Sequence, residues 1–249
     1  MHDLAKMRKE IIERRIEELQ SKDAGTRWTA ASMLTEHLTR QWLDISAAIP
    51  ALAVALGDSN ESVRTNAADA LSKAAQHRLD VSCAIDALTA RVGNEGYTEG
   101  GYAAEALGHA AENGIDISNS VQDLARCVDK DLGFASTNSA EALAKAAENG
   151  IDISTAVPAL TKALESNGKF IVVPAAEALA AMKKELADAK KLLQKVAKER
   201  PELKKELTEA YIRIVKAKKR PKIEGLLLDA KIKPPKKGEI FRVRRVAHA

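Results

Sequence analysis

Residues Ala110–Ser118 read AAENGIDIS, and residues Ala146–Ser154 read AAENGIDIS again. The core of the phrase recurs more widely. Leu43-Asp44-Ile45-Ser46, Leu79-Asp80-Val81-Ser82, Ile115-Asp116-Ile117-Ser118 and Ile151-Asp152-Ile153-Ser154 stand 36 residues apart at each step. A fixed period of this size is the signature of a solenoid or array, in which each unit buries its apolar face against the next. After each phrase comes an apolar stretch of helical spacing: AAIPALAVAL, CAIDALTARV, NSVQDLARCV, TAVPALTKAL. A second such stretch follows in each unit: NAADALSKAA, YAAEALGHAA, SAEALAKAA, PAAEALAAM. Each unit is therefore expected to be two helices.

The phrase itself reads as punctuation. Gly114 and Gly150 suit a helix C-terminus, where a left-handed residue closes the last turn without Cβ strain. Ser46, Ser82, Ser118 and Ser154 are then expected to cap the next helix. The branched residues on either side of each Asp are expected to tuck into the junction. In the second stretch, Ala67/Ala103/Ser139/Ala175, Ala68/Ala104/Ala140/Ala176 and Ala70/Ala106/Ala142/Ala178 form columns of small residues. The column Leu71/Leu107/Leu143/Leu179 follows them. Small residues let neighbouring second helices approach closely.

The run GDSNESVRTNAADAL (Gly57–Leu71) resembles a HEAT repeat, close to the variety found in phycobilisome lyases. The resemblance covers residues 23–182. It implies an all-α, right-handed α-α superhelix whose second helices line a concave face. It also implies a polar ladder at Asp58 and Arg64. The equivalents of Arg64 are Gly100, Ser136 and Val172, so the later units lose the arginine. The first unit, GTRWTAASML, has Arg27 and one extra residue before Leu43. Fold alone does not assign activity.

The organisation expected is a capping helix over residues 1–22, repeats over 23–182, basic helices over 183–220 and a basic tail over 221–249. Leu4, Met7, Ile11, Ile12, Ile16 and Leu19 give the capping helix an apolar side toward the first repeat. Helix is expected to continue from residue 175 to 199, where Pro201 interrupts it. The tail, with Pro234-Pro235 and Gly238, has no helical period. Charge divides along the same line. Residues 1–182 hold 17 Lys and Arg against 26 Asp and Glu, a balance of −9; residues 183–249 hold 22 against 9, a balance of +13.

Little in the chain suggests catalysis. The five His have no metal-ligand spacing, Cys83 and Cys127 are isolated, and no phosphate loop or nucleophile elbow is present. No cofactor is expected. The charged N-terminus is not a signal peptide, no run of 18 apolar residues exists, and a cytoplasmic location without membrane insertion is the expectation.

Three candidate contact regions remain. Each second helix carries one acid at the same register, Asp69, Glu105, Glu141 and Glu177, which the HEAT resemblance places along the groove as a site for a basic peptide. Lys73, His109 and Lys145 lie four residues after the first three acids, so ordinary i,i+4 pairing within each helix is the competing reading. The stretch GNEGYTEGGY (Gly93–Tyr102) reads as a loosened loop with a late helix start, or as a contact offering exposed Tyr97 and Tyr102. The tail offers Lys236, Lys237, Phe241, Arg242, Arg244 and Arg245. Basic residues interleaved with apolar ones suit phosphate contacts with apolar anchoring, or an acidic protein surface.

The function expected is a non-enzymatic scaffold or adaptor for a protein or peptide partner. The alternative is a nucleic-acid- or ribosome-associated protein anchored through residues 216–249. A further alternative, implied only by the resemblance, is a HEAT-like DNA glycosylase or bilin lyase. A glycosylase needs a cationic groove with aromatic and acidic groups around a flipped base, and the groove read here is acidic.

Overall fold

A computed structural model describes residues 2–93, 97–130, 133–166, 169–182 and 195–199, with isolated positions between 201 and 208. The described residues contain ten α-helices between His2 and Ala181, further helix at 195–199, and no strand. The ten are α1 (His2–Glu18), α2 (Ala24–Gln41), α3 (Ile49–Ala55), α4 (Glu61–Gln76), α5 (Ile85–Thr89), α6 (Tyr97–Glu112), α7 (Val121–Lys130), α8 (Phe134–Glu148), α9 (Val157–Ala163) and α10 (Lys169–Ala181). They alternate as first and second helices of stacked hairpins. The second helices, α2, α4, α6, α8 and α10, are each longer than the first helices α3, α5, α7 and α9 and pack side by side through the stack. Among the described residues no helix is long and apolar enough to cross a membrane.

The small-residue columns sit where second helices meet. Ala67, Ala103, Ser139 and Ala175 are fully buried, as are Ala70, Ala106, Ala142 and Ala178. Leu71, Leu107 and Leu143 have no exposed surface, and Leu179 almost none. The core is one continuous apolar strip that each unit extends by the same side chains.

Helices α4, α6 and α8 end in the same way. Gly114 (φ +84) donates its N–H to the Ala111 carbonyl at 3.0 Å, and Ile115 donates to Ala110 at 2.9 Å. Gly150 (φ +87) and Ile151 repeat the pair on Ala147 and Ala146. This is a Schellman closure. In the second unit its left-handed position is filled by Arg78 (φ 63), with the same two bonds to Ala75 and Ala74. In the first unit Trp42 (φ 53) takes that place, and Leu43 reaches back to the His37 carbonyl at 3.0 Å. That bond spans one more residue than its counterparts, so a wider last turn absorbs the extra residue of the first unit.

The start of each first helix corrects the expectation of serine caps. Ser46, Ser82, Ser118 and Ser154 each open a three-residue 3-10 turn, and none caps a helix. The acceptor is the preceding aspartate. Asp44, Asp80, Asp116 and Asp152 each take the N–H of the Ser two residues on, at 2.9, 2.9, 2.9 and 3.0 Å. In three units the Ser hydroxyl donates to the same oxygen. These hydroxyl and backbone bonds hold the carboxyls of Asp44 and Asp80 below the usual carboxylate range. Between Asp and Ser, Ile45, Val81, Ile117 and Ile153 are buried, as the sequence requires.

The N-terminal cap packs through Ile12 and Leu19, with Ile11 and Ile16 partly covered. Met7, expected on this face, is 52% exposed instead. The Leu4 side chain lies outside the described residues. Helix α10 begins at Lys169 and carries Pro174 inside it, earlier than the apolar stretch alone indicated. Residues 183–194 and 209–249 lie outside the described residues, the tail among them. Val196 and Leu207 are buried in the same core.

Leu107→Ala or Leu143→Ala should destabilise by about 2–5 kcal/mol, read from a reversible denaturant titration. Arg78→Gly should stabilise by about 1 kcal/mol, because only glycine adopts the left-handed conformation without strain. Gly114→Ala should show a loss of similar size. Equal stability of all the turn variants would rule out the left-handed closure.

Candidate functional site

Two side-chain systems cross from unit to unit. The first is the polar ladder. Arg27 of α2 forks onto the Asp58 carboxylate of the next unit, Nε to Oδ2 at 2.6 Å and Nη2 to Oδ1 at 2.9 Å. Its Nη1 donates to the Ser21 carbonyl at 2.8 Å. The fork holds the Asp58 carboxyl below its ordinary range, against a smaller upward effect of burial. Arg64 occupies the same register in α4, but its guanidinium meets only the backbone carbonyl of Asp58, at 2.9 Å. Its carboxylate partner is Glu99 of α6, Nε to Oε2 at 2.9 Å. Glu99 is 3% exposed and also faces Arg91 at 3.6 Å. The ladder therefore runs forward, each arginine to the acid of the following unit. Sequence reading paired Asp58 with Arg64 and missed Glu99, which sits in α6 rather than in the loop that holds Asp58. In the next unit Ser136 donates instead to the Cys127 carbonyl at 2.7 Å, and Val172 is fully buried.

The second system lies on the face of the second helices. Helix α6 begins at Tyr97, 36 residues after the start of α4 at Glu61, so the expected late start is corrected. Residues 94–96 and the Tyr97 side chain lie outside the described residues. Tyr102 is half-buried, not exposed as expected. Its ring meets Phe134 edge-on, with centroids 5.7 Å apart at 81°. The close approach is possible because Gly101 has no side chain: a Cβ there would lie 2.1 Å from the Phe134 ring. Asn138 reinforces the contact by donating to the Gly101 carbonyl at 3.0 Å. Burial, followed by the charges of Asp69 and Glu105, pushes the Tyr102 phenol up. Phe134 is 47% exposed. Phe170, one period later on α10, is 73% exposed. Only eight residues of this chain are Phe, Trp or Tyr, and three of them share this strip.

The repeated acids lie further along the same helices with unequal exposure. Asp69 and Glu105 are half-buried, Glu141 is exposed and Glu177 is buried. Burial pushes the Asp69 carboxyl up; Lys73 and Thr35 oppose this, and Glu105 adds to it. The expected i,i+4 pairs form only in part. Glu105 faces His109 within α6 at 3.9 Å. Lys73 reaches across to Glu105 at 3.6 Å, while Lys145 reaches back to Glu112 and His109, each at 3.1 Å. Charges from three helices thus converge on α6. Burial and the Lys145 ammonium hold His109 below the usual histidine range, although its acidic neighbours oppose them. Among the described residues no group of His, Cys, Asp and Glu could hold a metal ion.

Stacked helix pairs with a shared apolar strip and unit-to-unit ladders define an α-solenoid repeat protein. Residues 12–108 match the family model of HEAT repeats. The matched span holds both ladder arginines. The chain is similar to an engineered protein at 23% identity, covering 83% of this chain and 97% of that one, with a TM-score of 0.68. It is similar to a designed armadillo repeat protein in complex with the peptide (KR)4 at 18% identity, covering 80% and 98%, with a TM-score of 0.66. It is also similar to computationally designed armadillo repeat proteins for modular peptide recognition, at 20% identity over 81% and 98%, with a TM-score of 0.64. At these identities the likeness is one of fold. No curated protein matches the chain.

Arg64→Met should destabilise by about 3 kcal/mol, because it strips a buried carboxylate of its main partner. Arg64→Met/Glu99→Met should recover most of that loss in the same titration. A single-variant loss below about 1 kcal/mol would show that the ladder carries no weight. The His109 shift gives a pH signature. A depressed folded-state value means stability that is full above about pH 6.5, the ordinary histidine value, and declines as pH falls through the folded value. The melting temperature should decline in that window, and His109→Gln should remove that part of the decline.

Proposed function

We propose that the chain is a non-enzymatic scaffold that binds an extended basic peptide along the face of its second helices. The observation that carries this reading is the strip just described. Tyr102, Phe134 and Phe170 offer aromatic surface on successive helices, and Asp69, Glu105 and Glu141 offer carboxylate further along the same helices. Solenoids stack such positions into a long surface on which each unit contacts a short piece of an extended chain. Aromatic rings supply contact area at little conformational cost. Carboxylates at fixed spacing select guanidinium and ammonium groups. Glu177, being buried, supports the wall of this face rather than its contact surface. A similar solenoid carries the peptide (KR)4 in its complex, which favours a basic peptide as the partner class.

The tail residues Lys236, Lys237, Phe241, Arg242, Arg244 and Arg245 support a second reading. The +13 balance of residues 183–249 suits a polyanion, with affinity falling steeply as counterions are added. A cytoplasmic scaffold fits both readings.

A fluorescently labelled (Lys-Arg)4 peptide tests the first. Anisotropy with the full chain at low salt should show saturable binding. Glu105→Lys/Glu141→Lys should weaken it at least tenfold, and Phe134→Ala/Phe170→Ala several-fold. Binding indifferent to both pairs of substitutions would overturn the reading. Capture of single-stranded RNA by the full chain, lost in Arg242→Glu/Arg244→Glu/Arg245→Glu, would favour the polyanion instead.

A further inference from the structure

We propose that the chain's own C-terminal segment, residues 231–249, docks on the second-helix face in a polyproline-like path, one triplet of residues to each repeat. The inference rests on the peptide-binding reading above and names an occupant for that surface. Three observations converge on it.

The first is charge. The repeats and their N-terminal cap carry −9, while residues 231–249 hold seven Lys and Arg against one Glu, so the acidic body and a basic complement belong to one molecule. The second is a period of three in the segment. Ile240, Val243 and Val246 recur every third residue, and Arg242 and Arg245 keep the same step. A polyproline helix has three residues per turn and rises about 3.1 Å per residue, close to 9 Å per turn. Packed helices stand about 8–10 Å apart. One turn of such a segment therefore advances by about one second helix. Pro234-Pro235, just upstream, favour this backbone and oppose an α-helix.

The third observation is the face itself, which carries two lanes: rings on α8 and α10, and accessible carboxylates on α6 and α8, with Thr98 at the ring register of α6 and Glu177 of α10 buried. Phe134 and Phe170 stand at identical register on adjacent helices, as do Glu105 and Glu141. Within α8, seven residues separate Phe134 from Glu141, about 10.5 Å along the helix axis. A backbone laid between the lanes can set its apolar column on the rings and its arginines on the carboxylates. The 48 residues between Met182 and Lys231 span such a distance easily, since an extended chain covers about 3.3 Å or more per residue. Tethering raises the effective concentration of the segment to the millimolar range. A docked segment thus competes with any external basic peptide.

Two measurements on the full chain test this. In the first, the labelled (Lys-Arg)4 peptide is titrated into wild type and into Arg242→Glu/Arg244→Glu/Arg245→Glu. The triple variant should bind at least tenfold more tightly, because its own segment no longer competes. In the second, trypsin cleavage between Lys231 and Arg245 is followed by mass spectrometry in wild type and in Glu105→Lys/Glu141→Lys. Cleavage should run at least fivefold faster in the face variant. Glu105→Gln/Glu141→Gln serves the same purpose if circular dichroism shows that the lysine pair disturbs the fold. Equal peptide affinities together with equal cleavage rates overturn the proposal while leaving the peptide-binding reading intact. Faster cleavage in the face variant, with no peptide binding to either protein, supports docking of the segment and overturns the general peptide reading. RNA capture through a segment that is cleaved at the same rate in every variant overturns the docking and assigns the segment to a polyanion.

Discussion

The distance between adjacent second helices is the constraint on which the rest of the molecule depends. Three columns of alanine set it, with Ser139 as one exception among the fully buried positions. Because these side chains end at Cβ, neighbouring helices come close enough for a third residue type to act across the gap. Arg27 can then fork onto Asp58, Arg64 onto Glu99, and Phe134 can lie on the backbone of Gly101. Larger residues in the columns would move each of these partners out of reach together. The fold and the candidate site thus share one cause. The apolar strip brings the helices together, and the polar and aromatic contacts at its margin fix their register.

The two margins differ along the chain. In the first units the ladder is ionic and partly buried; after Glu99 it becomes a serine-to-carbonyl bond and then a valine. The aromatic strip does the opposite. Its register holds Ser62 and Thr98 in the earlier units, then Phe134, and is most exposed at Phe170. Apolar surface reaches solvent in both halves, at Trp28, Trp42 and Val54 in the first and at Phe134 and Phe170 in the second, but only the second pair repeats at one register. Exposed aromatic groups in a chain so poor in them mark a contact surface better than scattered aliphatics do. The strained backbone of Trp42 and Arg78 belongs to the first half. There the junctions keep bulky residues in the left-handed position that Gly114 and Gly150 fill later.

Most of the architecture was legible in the sequence, because its signals are periodic and local. A 36-residue step fixes the hairpins, the columns fix the buried faces, and Asn-Gly fixes the turn. What escaped depends on contacts between units. Asp and Ser are both good acceptors at a helix start, and only the backbone path shows that Asp44 accepts while Ser46 donates. Glu99 lies 35 residues from Arg64, off the repeat register, so no column reveals the pair. Tyr102 reads as exposed in a glycine-rich loop; the ring that covers it comes from the following unit. The acid stripe is visible as a period. Its unequal burial, from exposed Glu141 to buried Glu177, is set by neighbours that no period specifies.

The bare backbone at Gly101 has a meaning for the history of the array. Its counterparts in the neighbouring units are Thr65 and Thr137, and only the unit with glycine can receive an aromatic ring from its successor. Units three and four are thus keyed to one another like a matched lock and bit, although their connecting phrase is identical. Duplication or exchange of whole repeats, the ordinary way in which such arrays grow, would at this joint drive a threonine into the Phe134 ring. The repeats look interchangeable when aligned, but their order is written into the joints, and the array is a sentence rather than a string of beads.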